Sequence, residues 1–149
     1  SEQVILTDES GKSYAIGGHN GKTQLLICAP FIDDALISEV KEIEAMIPRE
    51  SEHEVNVALI VANTKHENPS LEGVDFLMDT QEEFADWYGL RLVGDPLQGE
   101  LTKGIMLISK DGALFHDDYP SDLHEPFNHE TLYRKIVAAQ TCYTGKGCH

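Results

Sequence analysis

The sequence has 149 residues, 41% apolar and 25% charged, which suits one folded domain and excludes a disordered or fibrous chain. Acidic residues outnumber basic ones by 26 to 11, and the net charge of -15 argues against nucleic acid or an anionic membrane surface as a partner. No apolar run approaches the roughly 20 residues that cross a bilayer, and no leader is visible. These features favour the cytoplasm and leave a periplasmic or secreted location open.

The N-terminal part of the chain predicts short strands joined by tight turns. Val4–Thr7 and Ser13–Ile16 flank a Glu-Ser-Gly-Lys turn, which predicts a β-hairpin. The glycine-rich residues 17–21 lack the Gly-Lys-Ser/Thr ending of a phosphate-binding loop and are interpreted as a second turn. The runs 25–29 and 55–62 are almost continuously apolar, which is typical of central strands buried on both faces. We expect these two strands to be neighbours in a parallel pair.

A helix over residues 33–47 is predicted between these two strands. Its apolar face is formed by four residues spaced three and four apart: Leu36, Val40, Ile43 and Ile47. The charged residues of the segment, Glu39 among them, are expected on the other faces. The strand, helix, strand unit that results should have a right-handed crossover.

A further strand and helix are predicted after a polar loop over residues 63–73. Residues 75–79 form the strand, and Thr80 followed by Glu83 gives the N-cap and third helical position of a capping box. Gly89 is expected to end the helix. Its buried side is expected to consist of three aromatic residues, Phe84, Trp87 and Tyr88.

The C-terminal part predicts a hairpin and a last helix. Residues 105–108 and 113–116 flank a Lys-Asp-Gly turn, and residues 128–140 carry an apolar helical face. This order of elements predicts an α/β, thioredoxin-like fold: a central mixed sheet with helices on both faces and an N-terminal β-hairpin. Residues 1–141 form the expected domain, and residues 142–149 a flexible tail that contains cysteines.

A motif at the end of the first buried strand resembles that of a known family. Pro30-Phe31-Ile32-Asp33 is similar to the Pro-Ser-Ile-Asp-Thr segment that precedes the peroxidatic cysteine of thiol peroxidases. Three further matches occur in the same order: Gly21-Lys22, Tyr88-Gly89, and Pro96-Leu97 with Gly99. Over roughly residues 4–140 the sequence therefore resembles thiol peroxidases of the peroxiredoxin superfamily.

This resemblance implies a pocket in which the catalytic residues have changed. Alignment of the motif puts Pro30 at the family's proline, Asp34 at its threonine, Ile37 at its peroxidatic cysteine and Lys103 at its arginine. Ile37 has no nucleophile, and Asp34 places an anion where a thiolate has to be stabilised. Lys103 keeps the charge but lacks the planar fork of arginine, and the resolving cysteine has no counterpart. The family activity would be thioredoxin-dependent peroxide reduction, but no catalytic residue is expected at this site.

The three cysteines offer other chemistry. Cys28 lies in the predicted strand and is expected to pack as a small hydrophobe. Cys142 and Cys148 flank a glycine-containing segment, where they can be a redox pair, a local disulfide or idle thiols. With His149 they supply three soft ligands, fewer than the usual four of structural zinc. We expect neither a metal nor a cofactor.

Three histidines lie close together in sequence among acidic residues. His116, His124 and His129 can form an acid/base or metal site in such a setting, although their spacing matches no known ligand motif, and they are interpreted as hydrated loop residues. Two functions remain open. One is a thiol peroxidase homologue without peroxidase activity, dimeric and working by binding a partner. The other is a thiol-disulfide oxidoreductase that uses Cys142 and Cys148 with a thioredoxin-like reductant.

Overall fold

A seven-stranded sheet organises the chain in the computed structural model, which describes residues 2–49 and 54–141. The strands are β1 (Val4–Thr7), β2 (Ser13–Ile16), β3 (Thr23–Cys28), β4 (Val55–Val61), β5 (Val74–Met78), β6 (Gly104–Ile108) and β7 (Leu114–Asp118). The helices of the described ranges are α1 (Asp34–Met46), α2 (Glu83–Tyr88) and α3 (His129–Thr141).

The sheet is mixed, with strand order β2-β1-β5-β4-β3-β6-β7. Strands β3, β4 and β5 are parallel, and β6 lies antiparallel to β3 and to β7. The predicted hairpin of β1 and β2 is confirmed, as is the parallel pairing of β3 with β4, in which Leu25 is opposite Val57. The central strands β3 and β6 are buried at every position, as their continuous apolar runs predict.

Helices cover both faces of this sheet. Leu36 of α1 and Ile136 of α3 belong to the apolar core on one face, and Phe84 of α2 belongs to the core on the other. The predicted α/β architecture is confirmed by this arrangement. Within the described ranges, each helix is too short or too polar to cross a membrane.

Helix α1 begins at its N-cap Asp33, whose side chain accepts a hydrogen bond from the backbone N–H of Leu36 at 2.8 Å. The predicted apolar face is confirmed, since its four residues are all at most 5% exposed. The prediction for Glu39 is wrong, because its side chain is buried as well. A carboxylate is stable in that position only when its oxygens are paired, and Glu39 has three partners that belong to the candidate site.

Helix α2 begins later than predicted, and the assignment of Thr80 as its N-cap is wrong. The N-cap is Glu82, whose side chain makes no capping hydrogen bond. The buried Asp79 serves the first turn instead, because its two carboxylate oxygens accept the N–H groups of Phe84 at 2.9 Å and Ala85 at 2.8 Å. Burial raises the pKa of Asp79, and these two hydrogen bonds oppose that shift. Trp87 is 61% exposed, so its expected burial is also wrong. The predicted end of the helix at Gly89 is confirmed.

Replacing Asp79 with Ala should lower the free energy of unfolding by about 2 kcal/mol, because two N–H groups of the first turn of α2 lose their acceptor. Thr80→Ala is the matched control. Thr80 is exposed, so its removal should change stability by less than about 0.5 kcal/mol. Denaturant unfolding of both variants measures the difference, and equal losses would contradict the assignment of Asp79.

Candidate functional site

A cavity of about 270 Å³ opens where β3 ends and α1 begins. Its wall consists of residues 29–31, the first half of α1, Lys103 immediately before β6, and residues of the segment 123–129 that leads into α3. This is the edge of the sheet at which the parallel strand β3 ends. Ligands of open α/β sheets bind at the carboxyl ends of strands, so the cavity is a candidate binding site.

The polar centre of the cavity is the buried carboxylate of Glu39. Its Oε1 accepts a hydrogen bond from Lys103 Nζ at 2.8 Å. Its Oε2 accepts the backbone N–H of Phe127 at 2.7 Å and lies 2.7 Å from Nε2 of His129. The carboxylate therefore connects α1 to β6, to the segment before α3 and to α3 itself.

The side chain of Lys103, like that of Glu39, is buried and fixed by hydrogen bonds. Its side chain is 6% exposed, and Nζ donates a second hydrogen bond to the carbonyl oxygen of Glu125 at 2.6 Å. The same nitrogen lies 4.8 Å from the centre of the Phe127 ring, within the range of a cation–π contact. The positive charge of Lys103 is thus engaged inside the protein, and little of it is available to a bound anion.

His129 is the part of this cluster that reaches solvent, with 29% of its side chain exposed. A carboxylate paired with Lys103 can only accept, so the hydrogen between Glu39 and His129 resides on Nε2 of the imidazole. The second ring nitrogen, Nδ1, lies 3.8 Å from Oε2 of Glu42, which is too far for a hydrogen bond. His124 also lines the cavity and packs against Phe31, with ring centres 5.2 Å apart.

The four positions assigned from the family motif do not come together. Pro30 and Lys103 line the cavity, but Asp34 and Ile37 are absent from its lining. Asp34 is exposed and Ile37 is half-buried on α1. The helix presents residues spaced three and four apart to the cavity: Ala35, Ser38, Glu39 and Glu42. Sequence reasoning missed Glu39 as a site residue, although it follows Leu36 at the spacing of the buried face.

The three histidines also separate. His124 and His129 both line the cavity. His124 is an exposed turn residue, which agrees with its interpretation as a hydrated loop residue, whereas that interpretation is wrong for His129, which lies on α3 and is partly buried. His116 lies on β7, where its Nε2 is buried without a hydrogen-bond partner and burial lowers its pKa. In the part of the chain that the structure describes, no group of three His, Cys, Asp or Glu side chains could hold a metal ion.

Cys28 lies in β3 and is fully buried, as predicted. Burial raises its pKa to about 12, so it is a neutral thiol at physiological pH. The prediction of a redox pair falls on Cys142 and Cys148, which lie outside the described residues. Helix α3 leads away from the cavity: His129 contacts Glu39, whereas Gln140 donates a hydrogen bond to the carbonyl of Pro48 beyond the far end of α1.

Comparison with known proteins gives structural relatives only. No family model and no curated protein matches the sequence. A peroxiredoxin-like protein from Aquifex aeolicus superposes with a TM-score of 0.78 at 18% identity, over 93% of this chain and 84% of the other. A thiol peroxidase from Chromobacterium violaceum gives 0.76 at 14% identity, over 95% and 85%. The fold is thioredoxin-like.

Other relatives on the thioredoxin-like fold have different roles. BsSco, a member of the Sco family of cytochrome c oxidase assembly proteins, superposes with a TM-score of 0.68 at 17% identity, over 95% of this chain and 94% of the other. Likeness at such identities shows the fold alone. Proteins on one fold differ in function because their sites differ.

Proposed function

We propose that this chain is a thiol peroxidase homologue of the peroxiredoxin superfamily that does not reduce hydroperoxides at the family pocket and uses that pocket to bind a ligand. The observation that carries the proposal is the polar centre of the cavity, where Glu39, Lys103 and His129 form a paired network. Among residues 2–49 and 54–141, the cavity wall includes no cysteine.

Peroxide reduction needs a group that these residues do not supply. A thiolate attacks one oxygen of the O–O bond, the second oxygen leaves as hydroxide or alkoxide, and the sulfur becomes a sulfenic acid. The described cysteine, Cys28, is buried in β3, and its pKa near 12 keeps it protonated. The two acids that accompany Glu39 at the cavity, Asp33 and Glu42, would also oppose a neighbouring thiolate.

The same cavity has the properties of a binding site. Its lining combines apolar side chains with a few fixed polar groups, as small-molecule sites generally do. Glu39 and Lys103 are buried and hydrogen-bonded to each other, so the polar centre is already ordered before a ligand arrives. Preorganisation of this kind lowers the entropy that binding costs.

Hydrogen peroxide consumption by the full chain tests the proposal. The assay includes a thioredoxin-type reductant and compares the chain with a variant in which Cys28 is replaced by Ala and Cys142 and Cys148 by Ser. Equal rates are expected. A rate clearly above that of the cysteine-free variant would overturn the proposal.

A second candidate function is thiol-disulfide exchange through Cys142 and Cys148, which the sequence places next to Lys146 among glycines. A thioredoxin-like protein would then be the natural reductant. This activity would not need the cavity. His129 lines the cavity at the start of α3, whereas Cys142 follows Thr141 at the end of this helix, whose 13 residues extend about 20 Å.

We further propose that the chain forms a homodimer and is located in the cytoplasm. Light scattering of the purified chain tests whether it is a dimer.

Alkylation should separate the three cysteines of the native, reduced protein. Cys28 should react only after denaturation, because it is inaccessible and its pKa is raised by burial. Cys142 and Cys148 should react quickly if the tail is exposed as the sequence predicts. Peptide mass analysis after timed alkylation measures all three. Fast labelling of Cys28 in native protein would contradict its burial, and slow labelling of the tail pair would remove the second candidate.

A further inference from the structure

We propose that the cavity binds a primary ammonium group carried on a small apolar body, such as an arylalkylamine. This inference deepens the proposed function and depends on it, since it assigns a ligand class to the same cavity. It is carried by the charge of the lining, by the hydrogen bond of His129 to Glu39 and by the apolar part of the lining.

The charges of the cavity favour a cation. Its lining contains three carboxylates, those of Asp33, Glu39 and Glu42, against the single ammonium group of Lys103. That ammonium group donates hydrogen bonds to the carboxylate of Glu39 and to the carbonyl oxygen of Glu125. The other two carboxylates have no lysine or arginine partner in the described cavity wall: Asp33 caps α1, and Glu42 lies 3.8 Å from Nδ1 of His129. An anionic ligand would have to approach against these two carboxylates.

The hydrogen bonds of the cluster leave two acceptors facing each other. Because Nε2 of His129 holds its hydrogen against Glu39, the neutral form of the imidazole would have its lone pair on Nδ1. Nδ1 lies 3.8 Å from Oε2 of Glu42, too far apart for these two atoms to satisfy each other directly. An ammonium group carries three hydrogens and can donate to both atoms at once, which an ether or an ester cannot do.

The apolar part of the lining suits an apolar body. It is formed by side chains without polar atoms, those of Ala29, Pro30, Phe31, Leu36, Leu123 and Pro126. The cavity volume of about 270 Å³ lies just below the range of sites for drug-sized ligands, so a single ring or a short alkyl chain fits its size. The ring of Phe31 can also face a bound cation.

Four ligands with the same aromatic body test this assignment on the full chain. They are benzylammonium, benzyl alcohol, benzoate and benzyltrimethylammonium, titrated while amide chemical shifts are recorded. Benzylammonium should bind about tenfold more tightly than the alcohol, a difference worth about 1.4 kcal/mol. The trimethyl analogue should bind more weakly than benzylammonium, because it keeps the charge but has no N–H donor. The shifts should concentrate at Ala29, Phe31 and Ser38.

A pair of variants separates the contact from the overall charge of the protein. Glu42→Gln should weaken benzylammonium binding about threefold or more, which is the scale of a partly exposed ion contact. Glu54→Gln is the matched control, because its side chain is 75% exposed, close to the 70% of Glu42, and it lies before β4, outside the cavity lining. It should leave the affinity unchanged.

Several results would overturn the ammonium site. These are equal binding of the alcohol, tighter binding of benzoate, equal effects of Glu42→Gln and Glu54→Gln, or shifts located outside the cavity. A failure of this kind leaves the absence of peroxidase activity untouched, since peroxide consumption is measured independently. Conversely, peroxide turnover would remove the proposed function even if benzylammonium bound.

Discussion

Replacing Glu39 with Leu should lower the free energy of unfolding by about 3–5 kcal/mol, the typical cost of leaving one partner of a buried ion pair alone. The side chains of Glu39 and Lys103 are 7% and 6% exposed, so water cannot replace the lost carboxylate. Lys103 would keep only the carbonyl of Glu125 as an acceptor. The backbone N–H of Phe127 and Nε2 of His129 would lose their acceptor at the same time.

A double-mutant cycle distinguishes the buried pair from simple loss of packing. Lys103→Met alone should also be destabilising, whereas the variant with both Glu39→Leu and Lys103→Met should recover much of the loss, because no charge is left uncompensated. Lys22→Met serves as the control, since Lys22 and Glu54 form an exposed pair at 3.8 Å. It should change stability by less than about 1 kcal/mol. Guanidinium unfolding measures the parent protein, the three variants of the cycle and the control, and strictly additive losses would refute the coupling.

Much of the fold could be predicted from the sequence, because its elements carry strong local signals. The hairpin of β1 and β2 has the predicted bounds, since short strands flank a turn that contains Gly11 with a φ of 87°, a conformation that glycine adopts readily. The parallel strands β3 and β4 are recognisable because both their faces are buried, which leaves a continuous apolar run.

Helix α2 shows how tertiary contacts override a local signal. Thr80 and Glu83 have the spacing of a capping box. In the structure, however, two N–H groups of the first turn donate hydrogen bonds to the buried Asp79. The helix has only six residues, and its buried face is centred on Phe84 and Ala85. Trp87 is rotated away from that centre, because each residue of a helix turns by about 100°.

The site was only partly predictable, for a different physical reason. The spacing of Glu39 from Leu36 and Val40 places it on the buried face, and that signal was available in the sequence. Its partners were not, because the acceptor in α1 and the donors at Phe127 and His129 are separated by 88 and 90 residues. Pairing over such distances is set by the topology of the sheet and leaves no local pattern.

The alignment proposed from the sequence puts the peroxidatic cysteine of thiol peroxidases at Ile37, and Ile37→Cys should not confer efficient hydroperoxide reduction. Ile37 is half-buried and lies outside the cavity lining, so a thiol there does not face the cavity. Asp34, one helical turn earlier, opposes thiolate formation. Lys103, which would have to stabilise the thiolate, already donates to Glu39 and to Glu125.

The comparison is best made with Ser38→Cys, because Ser38 is exposed and lines the cavity. Both substitutions are placed in the cysteine-free variant, and the rate of thiol oxidation by hydrogen peroxide is measured for each. The thiol at position 38 should react faster than the thiol at position 37, since reactivity requires access as well as a thiolate. Both should remain close to the rate of free cysteine, because the carboxylates of Glu39 and Glu42 lie at the same cavity and raise the cost of a second anion. A large acceleration in Ile37→Cys would mean that the first turn of α1 stabilises a thiolate at position 37, and it would contradict this expectation.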